Sequence, residues 1–224
     1  MKRHNAERFL FLGLIGAVIT VIGEFLGGFA PSADLTNPLT RMISALEVIS
    51  IPRIGLCSTI GAIGILLQYF GFYGLYLTFE RRNSGTGRLY IIGNYGFTIL
   101  GAIVHVLICM LLYIFKSCAP EDRTMILGEF MLWFLVPILI LFSAAYLTVC
   151  VILFWELGRG RTLFPSWMLL FNPLTGTLII NLLQIFLPSS AFVNGMGFSA
   201  MGVTSLVLFA VFLSYLRLTK PKCQ

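Results

Sequence analysis

The chain has 224 residues, of which 58% are hydrophobic and only 11% charged, with a formal net charge of +6. Its mean hydropathy of +0.94 is far above that of soluble domains, and no polar stretch is long enough for a separate globular domain. The excess of basic residues therefore reads as membrane topology and contact with anionic lipid; no nucleic-acid partner is expected.

A membrane-crossing helix needs roughly 20 apolar residues. Six stretches qualify, at about 9–30, 54–79, 89–115, 125–155, 164–187 and 192–216. The expectation is an all-α polytopic membrane protein, a six-transmembrane-helix bundle forming a single integral membrane domain over residues 1–224. The first stretch follows basic residues as a signal peptide would, but its length and the interruption by Glu24 favour a retained helix.

Between the first two spans lies a longer connection, 31–53. Asn37 or Thr36 can cap a helix with Pro38 in its first turn, and Met42, Ala45, Leu46 and Ile49 then share a face. A short amphipathic helix on the membrane surface is expected there. The tetrapeptide Asn37-Pro-Leu-Thr40 recurs at Asn172–Thr175, as an inverted repeat would place it, although the polar residues of the two halves do not align.

Lys2, Arg3, Arg8, Arg81, Arg82, Arg88, Arg159, Arg161, Arg217, Lys220 and Lys222 fall on one side of the six-span arrangement. The other side has only Arg41, Arg53, Lys116 and Arg123. The asymmetry predicts a plasma-membrane protein with both termini in the cytoplasm.

Inside the spans, polar and small residues recur three and four apart and so share helix faces. The stripes are Gly13, Gly16, Thr20, Gly23/Glu24, Gly27; then Cys57, Gly61, Gly64, Gln68, Gly71; then Asn94, Thr98, Gly101, His105. The fifth span offers Thr177, Asn181 and Gln184, and the sixth Asn194, Phe198, Met201 and Ser205. Small residues allow close helix approach and polar ones bond across it, so these faces should meet away from lipid.

At a rise of about 1.5 Å per residue, Glu24 lies roughly 24 Å above Arg8, and His105 roughly 25 Å above Arg88. Glu129 lies roughly 9 Å below Arg123, so the three share the outer half of the membrane with Gln184, Asn181 and Asn194. Glu24 cannot face lipid tails charged, and His105 is the one histidine in a span. Glu24 and His105 are the candidate acid/base pair. Gln68, Glu129, Trp133, Asn181, Gln184 and Asn194 are candidate ligand contacts, and Trp133 and Tyr146, at helical spacing, read as pocket-lining, with packing or anchoring as the alternative. Pro137 predicts a kink, Tyr90 and Trp167 an inner aromatic belt, and Glu156 an interface residue beside the basic connection.

The five cysteines show no C-x-x-C spacing, and Cys57, Cys109 and Cys150 lie in apolar runs where a thiol is ordinarily a small hydrophobe. No metal site and no cofactor are expected, and phosphate-loop and nucleophile-elbow motifs are absent. The expected partners are membrane lipids and a small hydrophobic ligand, with a homo-oligomer left open.

Gly23-Glu24, Gly101-x-x-x-His105 and Phe164-Pro-x-Trp167 leading to Asn172-Pro173 together resemble a group of uncharacterised bacterial six-helix membrane proteins. That resemblance implies the fold and no activity. A fainter similarity is to sterol-isomerase-type membrane proteins, which place histidine and glutamate in an intramembrane cavity; none of their motifs occurs here. The reading that follows is a bundle holding a small hydrophobic or lipid-like molecule in an outward-biased cavity, with proton-transfer chemistry open to Glu24 and His105. A proton-coupled carrier and a structural partner subunit are the alternatives.

Overall fold

The computed structural model describes residues 2–30, 48–188 and 190–219. The expected amphipathic helix and the first Asn-Pro-Leu-Thr copy fall on residues 31–47, outside the described residues. Every regular element among the described residues is helical. In chain order they are α1 (Lys2–Gly28), α2 (Ile51–Leu77), α3 (Gly85–Ser117), α4 (Pro120–Phe130), α5 (Val136–Gly158), α6 (Pro173–Phe186), α7 (Ala191–Phe198) and α8 (Ala200–Leu218). The protein is an all-α polytopic membrane bundle, with five helices among the described residues long and apolar enough to cross a membrane: α1, α2, α3, the continuous Pro120–Gly158 and α8.

The segment read as the fifth span is divided. A 3₁₀ helix, Ser166–Phe171, precedes α6, and Asn172 between them is extended, with ψ 136°. The cause is Pro173, whose ring disfavours helical geometry at the residue before it. Asn172 then caps α6 by accepting from the Leu174 N–H at 3.0 Å, and donates to the Cys150 carbonyl at 2.9 Å. With 14 residues, α6 rises only about 21 Å, short of a hydrocarbon core of about 30 Å. The last predicted span is likewise in two pieces, broken at Ser199, whose hydroxyl bonds back to the Gly195 carbonyl.

The glycine stripes of α1 and α2 meet in an antiparallel crossing. A side chain at Gly16 would stand 2.7 Å from Leu67 Cβ, and one at Gly23 2.5 Å from the Gly61 nitrogen. Only hydrogen fits at these points, so the two backbones touch and gain dispersion contact along their length. Toward one end, Gly74 of α2 lies against Leu10 and Ala6.

At that end the bundle is solid. Phe72 is fully buried, edge-on to Phe97 and Phe209 at 5.2 and 5.1 Å. Phe212 packs on Phe164 at 4.4 Å. Tyr90, expected at the interface, is fully buried here and donates its hydroxyl to the Phe72 carbonyl at 3.3 Å. The apolar end of Tyr90 gains more from this core than from a headgroup layer because its one polar atom finds a partner. Trp167 remains half exposed.

The basic connections gather at this same end. The Glu80 N–H donates to the Arg161 carbonyl at 2.9 Å, tying the α2–α3 and α5–α6 connections. Arg3 donates to the Leu216 carbonyl at 2.6 Å, and Arg217 pairs with Glu7 at 3.1 Å, tying the first helix to the last. Arg53, at the opposite end, closes the α1 terminus by donating to the Leu26 and Phe29 carbonyls at 3.1 and 2.9 Å.

Candidate functional site

The other end of the bundle is hollow. A cavity of about 560 Å³ opens between α1, α2, α3, the π-helical turn Met131–Leu135, α5, α6 and α8. The π turn stands just before Pro137, which lacks an N–H. Widening the turn accommodates the missing bond at the place where Pro137 predicts a kink. It also turns Met131 and Leu135, four apart, to the cavity wall, with Leu139 one turn further on. Helix α6 packs chiefly against α8 and only sparsely against α5, and the space lies beside that weak seam.

The wall is mainly apolar: Ile65, Phe97, Val104, Ile108, Phe142 and Met201 are typical. Against it stand a few polar side chains, Thr20, Glu24, Gln68, His105, Thr177 and Asn181. Gln68 is held by donating to the Thr20 hydroxyl at 2.8 Å, which itself donates to the Gly16 carbonyl at 3.0 Å. Glu24 is one turn beyond Thr20, 8% exposed, and its buried Oε2 has no hydrogen-bond partner. A side chain at Gly202 of α8 would come within 2.6 Å of that oxygen, so Gly202 is what makes room for the carboxyl.

His105 faces the same cavity from α3. Its Nε2 donates to the Cys57 carbonyl at 3.0 Å, since a carbonyl can only accept. No hydrogen bond or ion pair joins Glu24 to His105 among the described residues. They share a cavity without a bond between them. The imidazole lies directly over Gly61, in space that any larger residue would fill.

Of the remaining sequence candidates, Asn181 sits at the exposed rim of the cavity. Gln184 and Asn194 are not on its wall: Gln184 donates to the Val193 carbonyl at 3.2 Å, and Asn194 to the Ala30 carbonyl at 2.8 Å. The first ties α6 to α7, and the second ties α7 to the end of α1. Glu129 is exposed and Trp133 is 71% exposed, both facing away. The reason is rotational: Met131 and Leu135 take the inward direction, and positions two residues off lie across the helix. Tyr146 is off the wall too, bonded to Thr177 at 3.3 Å. Glu156, expected at an interface, is buried at 4% exposure with Oε2 unpartnered.

Beside the cavity the fold assembles a cluster that sequence reasoning missed. Cys57 Sγ is 3.7 Å from Cys109 Sγ and 3.9 Å from His105 Nε2, and Cys109 Sγ is 4.0 Å from the same nitrogen. All three residues are buried, and their ligand atoms could hold a metal ion. The signal was present in part: His105-x-x-x-Cys109 continues the α3 stripe by one turn, and Cys57 heads the α2 stripe. What the sequence lacked was the offset of α2 against α3.

The chain belongs to the DUF6796 family, a family of unknown function that matches residues 1–219. No curated protein and no solved structure matches it.

Proposed function

We propose that this member of a family without an assigned activity is a multi-pass protein of the cell membrane, termini in the cytoplasm, that takes a small hydrophobic or lipid-like molecule into the cavity. Collection of Arg3, Arg81, Arg161 and Arg217 at one end supports the orientation, because the basic end is retained on the cytoplasmic side. The cavity then lies toward the outer leaflet. Its volume falls within the 300–1,000 Å³ range of sites for drug-sized ligands, roughly, and its apolar wall with few polar groups suits an amphipathic one.

The observation that carries the reading is the orphaned Glu24 Oε2 on an otherwise greasy wall. A buried oxygen without a partner costs about 1–3 kcal/mol, which a ligand hydroxyl, amine or bound water would recover. Glu24 is thus the polar anchor. His105, with Nε2 committed to the Cys57 carbonyl, has Nδ1 left to exchange a proton, and proton-transfer chemistry on the bound molecule is the reaction class this pair supports. A proton-coupled carrier would need a polar route to the basic end. The packing of Phe72, Phe97, Phe209 and Phe212 there weighs against one.

The test is mass spectrometry of lipids and small amphiphiles co-purifying with the full chain. Leu139→Trp, at the half-exposed edge of the wall, should narrow the cavity, and Glu24→Leu should remove the anchor. One or more bound species should fall at least tenfold in both variants. Profiles identical to wild type in both would overturn the reading.

A further inference from the structure

We propose that Cys57, Cys109 and His105 form a binding site for a soft divalent metal ion, zinc foremost, behind the wall of the cavity. The first support is geometric. Zinc–thiolate bonds of about 2.3 Å at a tetrahedral angle place two sulfurs about 3.7–3.8 Å apart. The observed Sγ–Sγ separation is 3.7 Å, and the imidazole nitrogen completes a near-equilateral triangle at 3.9 and 4.0 Å. A tetrahedral face would put sulfur and nitrogen about 3.6 Å apart, so the imidazole needs to close in by a few tenths of an ångström. Two thiolates and one imidazole are also the protein ligands of one known class of zinc site that keeps a fourth position open.

The second support is how the ligands are held. His105 and Cys109 come from consecutive turns of α3, and Cys57 from the facing turn of α2, so all three sit on rigid elements. The backbone is cut to admit them. The imidazole occupies the space over Gly61, and a side chain at Gly27 of α1 would come within 2.6 Å of Cys57 Sγ. Glu24, a turn before Gly27, thus brings a carboxyl with an unpartnered oxygen near the cluster, where in its neutral form it can accept from a water in the fourth position.

The third support is charge. Around the sulfurs pack Ile54, Leu112 and Phe198, an apolar setting hostile to net charge. Two thiolates neutralise a divalent ion, and the imidazole adds none. A monovalent ion would leave one uncompensated negative charge. On binding, the two thiol protons leave to solvent, while the imidazole proton moves from Nε2 to Nδ1 and frees the Nε2 lone pair for the metal. The balance is one ion bound and two protons released.

The site shares His105 and the neighbouring Glu24 with the ligand reading but rests on the two cysteines, and an ion with no amphiphile, or an amphiphile with no ion, separates the two. The experiment measures metal content of the purified full chain after exposure to zinc and removal of excess. One equivalent per chain is expected in wild type and in Cys150→Ser, whose thiol is buried elsewhere. Affinity should fall roughly tenfold or more in Cys57→Ser, Cys109→Ser and His105→Gln. Because a core variant can fail to fold, cobalt titration of the wild-type protein provides a second readout. Thiolate-to-cobalt charge transfer with strong visible bands, and two protons released per ion into weak buffer, support the site. It is overturned by the absence of such bands, by zinc content unchanged in folded cysteine variants, by retention of monovalent copper alone, or by a Cys57–Cys109 disulfide in the purified protein.

Discussion

The two ends of this bundle are built on opposite principles. At the basic end, rings and branched side chains from five helices interlock, and the polar groups among them are mostly turned to backbone, as with the Tyr90 hydroxyl on the Phe72 carbonyl. At the other end the helices enclose a cavity into which Glu24, Gln68 and His105 project. In a membrane both ends are wrapped in apolar lipid, so burial from water does not by itself tell them apart. The difference is packing: one end gains dispersion contact throughout, and the other forgoes it where a void remains. A protein that keeps such a void beside buried polar groups sacrifices stability at the place where something else can bind.

The sharpest way to break that contrast is to truncate one side chain at each end. Phe72→Ala should cost about 3–5 kcal/mol, because the ring is fully enclosed by Phe97 and Phe209 and a new cavity would replace it. Val104→Ala, on the wall of the existing cavity, should cost about 1–2 kcal/mol from lost methyl groups alone. Reversible unfolding in mixed micelles measures both. Equal costs would mean that the cavity end is as solid as the basic one.

The glycine crossing that serves both ends is tested by Gly23→Ala. Alanine gains about 1 kcal/mol of helix propensity, against overpacking of about 1–3 kcal/mol. The obstacle is the Gly61 backbone nitrogen at 2.5 Å, which no rotamer change can move, so the clash should win. A variant more stable than wild type would show that α1 and α2 do not approach as described.

The smallest effect is expected at Trp133 and Glu129. Both face outward, so Trp133→Ala and Glu129→Gln should change stability by no more than about 0.5 kcal/mol and leave any co-purifying amphiphile in place. Loss of that amphiphile in Trp133→Ala would restore this residue to the binding site.

Much of this arrangement was legible in the residues themselves. The apolar runs and the distribution of arginine gave the class of protein. The four-residue spacing of Gly16, Thr20, Gly23 and Glu24 against Gly61, Gly64 and Gln68 gave the faces that meet. Glu24, Gln68, His105 and Asn181 were all chosen from such stripes, and all four are found on one cavity. Stripe membership did not suffice everywhere: Gln184 shares a stripe with Asn181 and Asn194 heads that of the last span, yet both turn to backbone carbonyls, while Glu129, placed by height alone, faces outward.

The chain by itself thus settled which residues share a helix face, since a 3.6-residue period is a local property of the backbone. It also settled that the molecule belongs in a membrane, because so apolar a chain has no other solvent. How each helix is rotated and slid against its neighbours is a property of packing between distant segments. Only the assembled bundle therefore decided that Trp133 points outward, that Tyr90 is buried, and that Cys57 meets His105 and Cys109.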